Sequence, residues 1–229
     1  MSPGASVLDR EGYLDRWSQL HGGYDPRSSR LTHAWLMLAY TVARPLAVLR
    51  VPPDLVTGLG LVVSGVAVCL AWLGDAWVVG AAVVVALSGL VDNLDGAVAV
   101  MTGRTSRWGF VLDSVVDRLS DVLYLVALWL VGAPAWLCVV AGALMGLQEY
   151  TRARAGNAGM GEIGVVTVWE RPTRVIVTAM FLLGAGIHVE SAPQWASAGA
   201  AAWAALGLVG LAQLVVVVRR RLGASPEQR

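Results

Sequence analysis

Four aspartates lie close together in a stretch of the sequence whose two flanks are nearly all apolar. Asp92 and Asp95 are three residues apart, and Asp113 and Asp117 are four residues apart. Residues at these spacings share one face of a helix, so each pair presents its carboxylates on the same side. Carboxylate oxygens suit Mg²⁺ and Mn²⁺. The pattern predicts a site at which four aspartates hold two divalent ions, and such ions could clamp a diphosphate.

The surroundings of these acids favour a bound cation over bare carboxylates. One acid at mid-membrane costs about 2.5–3.5 kcal/mol on insertion scales. Four acids close together also repel one another, so either they are protonated or a cation lies among them. The alternative is a set of surface acids at a helix end, solvated by water. Asp121 lies one turn beyond Asp117 and could pair with Arg118.

The composition indicates which elements carry the acids. The 229 residues are 56% hydrophobic and 14% charged, with a mean hydropathy of +0.63, whereas soluble domains carry about 25% charged residues. Six apolar stretches approach the length of about 20 residues that crosses a bilayer. They are residues 55–73, 76–101, 109–131, 134–155, 173–189 and 195–218. We therefore predict an all-α polytopic membrane protein with six transmembrane helices.

The placement of arginine predicts the orientation of these helices. Arginines occur before the first stretch, between the second and third, between the fourth and fifth, and after the sixth. The other three connections, around Asp75, Gly132 and Glu190, contain no basic residue. Basic loops stay on the cytoplasmic side. We expect a protein of the cell (cytoplasmic) membrane with both termini and the acids on the cytoplasmic side.

Residues 31–50 are apolar but interrupted by His33, Arg44 and Pro45. They predict a helix that lies in the cytoplasmic interface, with Trp35 and Tyr40 at headgroup depth. A seventh membrane span is the alternative.

The acidic pattern resembles a known signature. Asp92-x2-Asp95-Gly96-x2-Ala99 followed by Gly109-x3-Asp113-x3-Asp117 resembles the signature of the CDP-alcohol phosphotransferase family, D-x2-D-G-x2-A-R and then G-x3-D-x3-D. Three further stretches are similar to family segments: "PPDLVTGLG" at 52–60, "YTRARAG" at 150–156 and "ERPTR" at 170–174. The resemblance extends over roughly residues 30–220. We divide the chain into a polar cytoplasmic segment (1–30), the phosphotransferase membrane domain (31–220) and a cytoplasmic tail (221–229).

The resemblance implies an activity and a role for each residue of the motif. Family members are usually homodimers with six transmembrane helices, and their active site opens to the cytoplasm. An alcohol attacks the β-phosphorus of a CDP-linked lipid such as CDP-diacylglycerol, which releases CMP. Asp92, Asp95 and Asp113 would hold the metal ions, and Asp117 would bind metal and accept the hydroxyl proton. The expected nucleotide pocket comprises Thr57, Gly96, Ala99, Ser106 and Gly109.

One position departs from the family pattern. Val100 occupies the place of the arginine that follows the motif alanine. A valine cannot donate a hydrogen bond or supply charge to the nucleotide. Arg104, one turn on, could take that role in the nucleotide pocket, or Arg107 could reach it from the loop. Otherwise the nucleotide binds weakly, or the chain is a catalytically impaired relative.

Four arginines flank the fourth and fifth apolar stretches. Arginine forms bidentate bonds with phosphate, so these residues predict a phosphorylated acceptor such as inositol phosphate or glycerol phosphate. The alternative is that they only follow the topology rule and contact lipid headgroups. The four residues are Arg152, Arg154, Arg171 and Arg174.

Other acceptors and another class of function stay open. The acceptor could instead be an unphosphorylated alcohol such as serine, or a lipid such as phosphatidylglycerol. Acids within a membrane also mark the paths of ion or proton carriers, but these acids lie at one depth near the cytoplasmic face. We expect no nucleic-acid partner.

Overall fold

The computed structural model describes residues 7–160 and 166–223, so the last six residues of the predicted cytoplasmic tail and the first six of the N-terminal segment lie outside it. The described residues form eight α-helices and two single 3₁₀ turns, at Pro26–Ser28 and Val189–Ser191, and contain no strand. The α-helices are α1 (Arg10–Leu20), α2 (Arg30–Val48), α3 (Pro53–Leu73), α4 (Trp77–Thr102), α5 (Arg107–Val131), α6 (Ala135–Asn157), α7 (Arg171–Ile187) and α8 (Ala192–Gly223).

Helices α3 to α8 coincide with the six predicted apolar stretches, so the all-α prediction is confirmed. Within the residues that the structure describes, three segments are long and apolar enough to cross a membrane: α3, α4, and α8 with the 3₁₀ turn before it. Helix α7 has only 17 residues, and α5 and α6 carry the charged residues of the predicted site. Six membrane spans therefore remain a prediction.

The chain divides into two compact units. The first comprises Met1–Val63 and Leu87–Leu119, and the second comprises Ser64–Ala86 and Ser120–Arg229. The boundaries fall inside helices α3, α4 and α5.

In the first unit, helix α1 packs on an apolar cluster. Asp9 caps α1 by accepting a hydrogen bond of 2.9 Å from the backbone N–H of Gly12. Tyr13 and Leu14 are buried in a cluster with residues of α2 and α4, and the ring centroids of Tyr13 and Tyr40 lie 5.5 Å apart. Burial raises the pKa of Tyr13 to about 12. The polar N-terminal segment therefore contains a docked helix that its composition did not predict.

Helix α2 buries one face and exposes the other. Ser29 caps it, accepting a hydrogen bond of 3.3 Å from the N–H of Thr32. Leu36 and Tyr40 are buried, whereas Leu31 and Trp35 are exposed. This two-faced pattern suits the predicted place in the membrane interface, which stays a prediction.

In the second unit, small residues bring helices into close contact. A Cβ atom placed on Gly186 would lie 2.5 Å from the backbone nitrogen of Val79, and one placed on Gly199 would lie 2.8 Å from the Cβ atom of Phe181. Such glycines allow helix backbones to approach closely, as is common in membrane helices. The buried rings of Trp169 and Trp203 belong to the apolar core of this unit, and their centroids lie 5.0 Å apart.

Candidate active site

Three of the four predicted aspartates converge in the first unit. Carboxylate oxygens of Asp92 on α4 and of Asp113 and Asp117 on α5 all lie within 4.8 Å of one another, and the three residues are half-buried. Residues 103–106 connect the two helices, and Gly103 takes a positive φ of 66° that favours glycine. The short connection keeps the end of α4 near the start of α5, so helical spacing and loop length together account for the cluster.

Asp95 lies beside this cluster but makes different contacts. It is 6% exposed, and its Oδ2 atom accepts a hydrogen bond of 2.5 Å from the hydroxyl of Thr57 on α3. Its Oδ1 atom accepts a hydrogen bond from the N–H of Gly96. Asp95 also interacts electrostatically with Asp113 and Asp92. Its role as a metal ligand stays a prediction.

The donor set fits a divalent cation. The clustered ligands are all carboxylate oxygens, which suit Mg²⁺ and Mn²⁺ rather than softer metals. The guanidinium of Arg118 lies nearby, with a terminal nitrogen 3.4 Å from Oδ2 of Asp117. From the sequence, Asp121 was the expected partner of Arg118 if the two paired locally. The contact of Arg118 with Asp117 was not predicted.

The small residues of the motif either leave open space beside α4 or cap the start of α5. A Cβ atom on Gly96 would meet no neighbouring atom within 4 Å, and Ala99 is half-buried. The hydroxyl of Ser106 accepts a hydrogen bond of 2.9 Å from the N–H of Gly109 and so caps the first turn of α5. The nucleotide-binding roles of these residues stay predictions.

The predicted acceptor arginines lie in the second unit and differ in exposure. Arg174 is fully buried and forms ion pairs of 2.8 Å with Asp121 and with Glu149. Arg152 is partly exposed and pairs with Glu170 at 2.8 Å. Arg154 is exposed and Arg171 is half-buried. The buried ion pairs favour an internal role for Arg174, and its contact with an acceptor phosphate stays a prediction.

A sequence model of CDP-alcohol phosphatidyltransferases matches residues 50–211, more than half of the chain. The chain belongs to the CDP-alcohol phosphatidyltransferase family. The resemblance seen in the sequence is thereby confirmed, and with it the assignment to a family of transferases. The acidic cluster of Asp92, Asp113 and Asp117 lies within the matched residues.

Relatives in the family are similar over most of the chain. Archaetidylinositol phosphate synthase from Aeropyrum pernix is 37% identical over 164 residues, which are 71% of this chain and 82% of the relative. Phosphatidylinositol phosphate synthase from Streptomyces avermitilis is 34% identical over 74% of this chain and 73% of the relative.

Two solved structures of Mycobacterium tuberculosis phosphatidylinositol phosphate synthase share the fold. The structure with CDP-DAG bound has a TM-score of 0.66 and 28% identity, over 84% of this chain and 98% of that one. The complex with manganese and citrate has a TM-score of 0.67 and 26% identity, over 83% and 92%. Manganese in the second structure agrees with the divalent ions predicted for this phosphatidyltransferase.

The departure of this family member at Val100 has a packing explanation. Val100 is 7% exposed and belongs to the same apolar cluster as Tyr13 and Leu14 of α1. Arg104 is exposed, and one of its terminal nitrogens donates a hydrogen bond of 3.3 Å to the carbonyl of Arg50. Valine therefore completes the core beneath α1. That Arg104 or Arg107 takes the role of the family arginine at the nucleotide stays a prediction.

Proposed function

We propose that this chain transfers a phosphatidyl group from a CDP-linked lipid, CDP-diacylglycerol, to the hydroxyl of an alcohol and releases CMP. The observation that supports the proposal most strongly is the convergence of Asp92, Asp113 and Asp117 at the signature of the family. A related synthase of the same fold has a structure with CDP-DAG bound.

The aspartates divide two tasks between them. Asp92, Asp95, Asp113 and Asp117 would hold two divalent ions, Mg²⁺ or Mn²⁺. When bound, such ions offset the charge of the diphosphate and make the alcohol more acidic. Asp117 accepts the proton of the alcohol hydroxyl as its oxygen bonds to the β-phosphorus. The bond from that phosphorus to the CMP oxygen breaks, and CMP leaves with the electron pair.

Residues around the acids hold the nucleotide and Asp95. The hydroxyl of Thr57 orients the Asp95 carboxylate. The nucleotide lies along the small or polar residues of α3, α4 and the start of α5. These are Thr57, Gly96, Ala99, Arg104, Ser106 and Gly109.

The acceptor carries a phosphate, and inositol phosphate is the acceptor we favour. The named relatives make phosphatidylinositol phosphate or archaetidylinositol phosphate. Arginines suit a phosphate group because their planar guanidinium donates two parallel hydrogen bonds. The residues proposed to contact this phosphate are Arg152, Arg154 and Arg171. Arg174, the fourth predicted arginine, is buried in ion pairs, and we propose that it supports the phosphate site from within.

The protein resides in the cell membrane as a homodimer with six transmembrane helices. Three segments of the described part of the chain are long and apolar enough to span. The arginine-rich connections favour a cytoplasmic position for the acids and both termini. Helix α2 lies in the cytoplasmic interface.

CMP release from purified protein in detergent tests the proposal. The assay combines CDP-diacylglycerol, Mg²⁺ or Mn²⁺, and separately inositol phosphate, glycerol phosphate, serine and phosphatidylglycerol. We expect metal-dependent CMP release that is fastest with inositol phosphate. No release with any acceptor would indicate a catalytically impaired relative, and aspartate-dependent ion flux in liposomes without CMP release would indicate a carrier.

A further inference from the structure

A buried polar network occupies the second unit around Arg174. One terminal nitrogen of Arg174 donates to Asp121 on α5 at 2.8 Å. The other donates to Glu149 on α6 at 2.8 Å and to the carbonyl of Trp169 at 3.2 Å. Arg174 and Asp121 are both fully buried. One guanidinium thus ties α5, α6 and α7 to the segment before α7.

The network continues from Arg174 to a partly exposed arginine. Glu149, which pairs with Arg174, also lies 3.8 Å from Nε of Arg152, one turn along α6. Arg152 in turn donates to Oε1 of Glu170 at 2.8 Å. The side chains of Arg152 and Glu170 are 31% and 30% exposed. The chain of contacts therefore begins in the apolar interior and ends at a surface that a ligand can reach.

A second set of hydrogen bonds holds Glu170, the partner of Arg152. Oε1 of Glu170 also accepts hydrogen bonds of 2.8 Å from both the N–H and the hydroxyl of Thr167. The side-chain nitrogen of Gln148, itself fully buried, lies 3.1 Å from the Thr167 hydroxyl oxygen and 3.1 Å from the Trp169 carbonyl. Glu170 is thus held from two sides, through Arg152 and through Thr167.

Simple helix packing does not require such a network. Buried charges lose hydration, and well-packed apolar residues often serve stability equally well. A guanidinium with free rotation also loses conformational freedom when it binds a ligand, so an arginine fixed in advance binds phosphate at a lower entropic cost. The network is therefore suited to holding Arg152 in one orientation.

We propose that Gln148, Thr167 and Arg174 are positioning residues. Through Glu149 and Glu170 they hold the Arg152 guanidinium in place for the phosphate of the acceptor alcohol. This inference rests on the proposed function. It assigns no contact with the CDP-linked lipid to any of the three. Loosening the network should therefore weaken acceptor binding and leave lipid binding unchanged.

Steady-state kinetics of CMP release, with inositol phosphate and CDP-diacylglycerol varied in turn, test the inference. Thr167→Val keeps the shape of the buried side chain and removes its hydroxyl bonds. Since one such bond is worth about 0.5–1.5 kcal/mol, the acceptor KM should rise about two- to thirteenfold. The lipid KM and kcat should stay unchanged. Thr173→Val is the matched control on α7, because no side-chain hydrogen bond of Thr173 occurs among the described residues.

A second variant examines the centre of the network. Arg174→Lys keeps the charge but loses the fork that contacts Asp121 and Glu149 together, so the acceptor KM should rise with the lipid KM unchanged. Equal rises in both KM values, or an acceptor KM unchanged in Thr167→Val, would overturn the inference while the proposed function stands. If the wild-type protein releases no CMP with any acceptor, the inference and the proposed function fail together.

Discussion

The hydroxyl of Thr57 donates a hydrogen bond of 2.5 Å to Oδ2 of Asp95, which links α3 to α4 inside the first unit. Both residues are 6% exposed, so water does not compete for this bond. The link fixes the second aspartate of the motif one turn from Asp92. Thr57 therefore acts on the acidic cluster through Asp95, in addition to its predicted place beside the nucleotide.

Removing this hydroxyl should destabilise the protein and slow the reaction. Thr57→Val leaves a buried carboxylate oxygen without its donor, which costs about 1–3 kcal/mol. We expect a lower melting temperature in detergent. CMP release should also fall, by about tenfold for each 1.4 kcal/mol by which the misplaced carboxylate raises the activation barrier. Thr57→Ser keeps the donor and should retain most of both properties. A Thr57→Ser protein as impaired as Thr57→Val would show that keeping the hydroxyl donor does not preserve either property, and would contradict this account.

Restoring the family arginine should not restore a nucleotide contact. Because Val100 lies in the apolar cluster beneath α1, Val100→Arg places a charge in that core and should lower stability by several kcal/mol. Thr105→Arg adds the same charge to an exposed position nearby and should unfold at the wild-type temperature. A Val100→Arg protein of normal stability that binds CDP more tightly would contradict this account.

The close contact of α8 with the segment before α7 should not tolerate a methyl group. A Cβ atom on Gly210 would lie 2.6 Å from Cβ of Trp169 and 3.0 Å from Oε1 of Gln148. Overpacking of this kind costs about 1–3 kcal/mol, so Gly210→Ala should lower the melting temperature. Gly146→Ala on α6 meets no atom within 4 Å and should raise stability slightly, by up to about 1 kcal/mol. A stable Gly210→Ala protein would show that these helices separate more easily than the structure indicates.

The docking of α1 should be visible in alkaline solution. Burial raises the pKa of Tyr13 from 10.0 to about 12, so the unfolded chain loses this proton before the folded one does. The stability that the neutral tyrosine contributes is present below pH 10 and is lost as the pH rises towards 12. Tyr13→Phe should lose less stability over this interval in denaturant titrations. The same decline in both proteins would mean that Tyr13 is not buried in solution.

Much of the fold was predictable because hydropathy alone specifies long apolar helices. Helices α3 to α8 begin and end within a few residues of the predicted stretches. Helix α1 was not predictable, because it is polar on average and only Tyr13 and Leu14 are buried. Its docking depends on a surface formed by α2 and α4.

The candidate site was predictable in its acids but not in their partners. Helical spacing brings together Asp92, Asp113 and Asp117, whereas the bond from Thr57 to Asp95 joins residues 38 positions apart. The partner of a buried charge depends on the folded arrangement. For this reason the pairing of Arg174 with Asp121 could not be read from the sequence, in which Arg118 lies closer.

Binding of Mn²⁺ to purified protein, followed by the loss of the free-ion electron paramagnetic resonance signal, tests the central claim most directly. We expect about two ions for each wild-type chain and little binding to Asp113→Asn. Asp75→Asn, at an exposed position in another connection, should bind Mn²⁺ as the wild type does. Undiminished binding by Asp113→Asn, or equal losses in the two variants, would contradict the claim that the aspartates of α4 and α5 form a shared metal site.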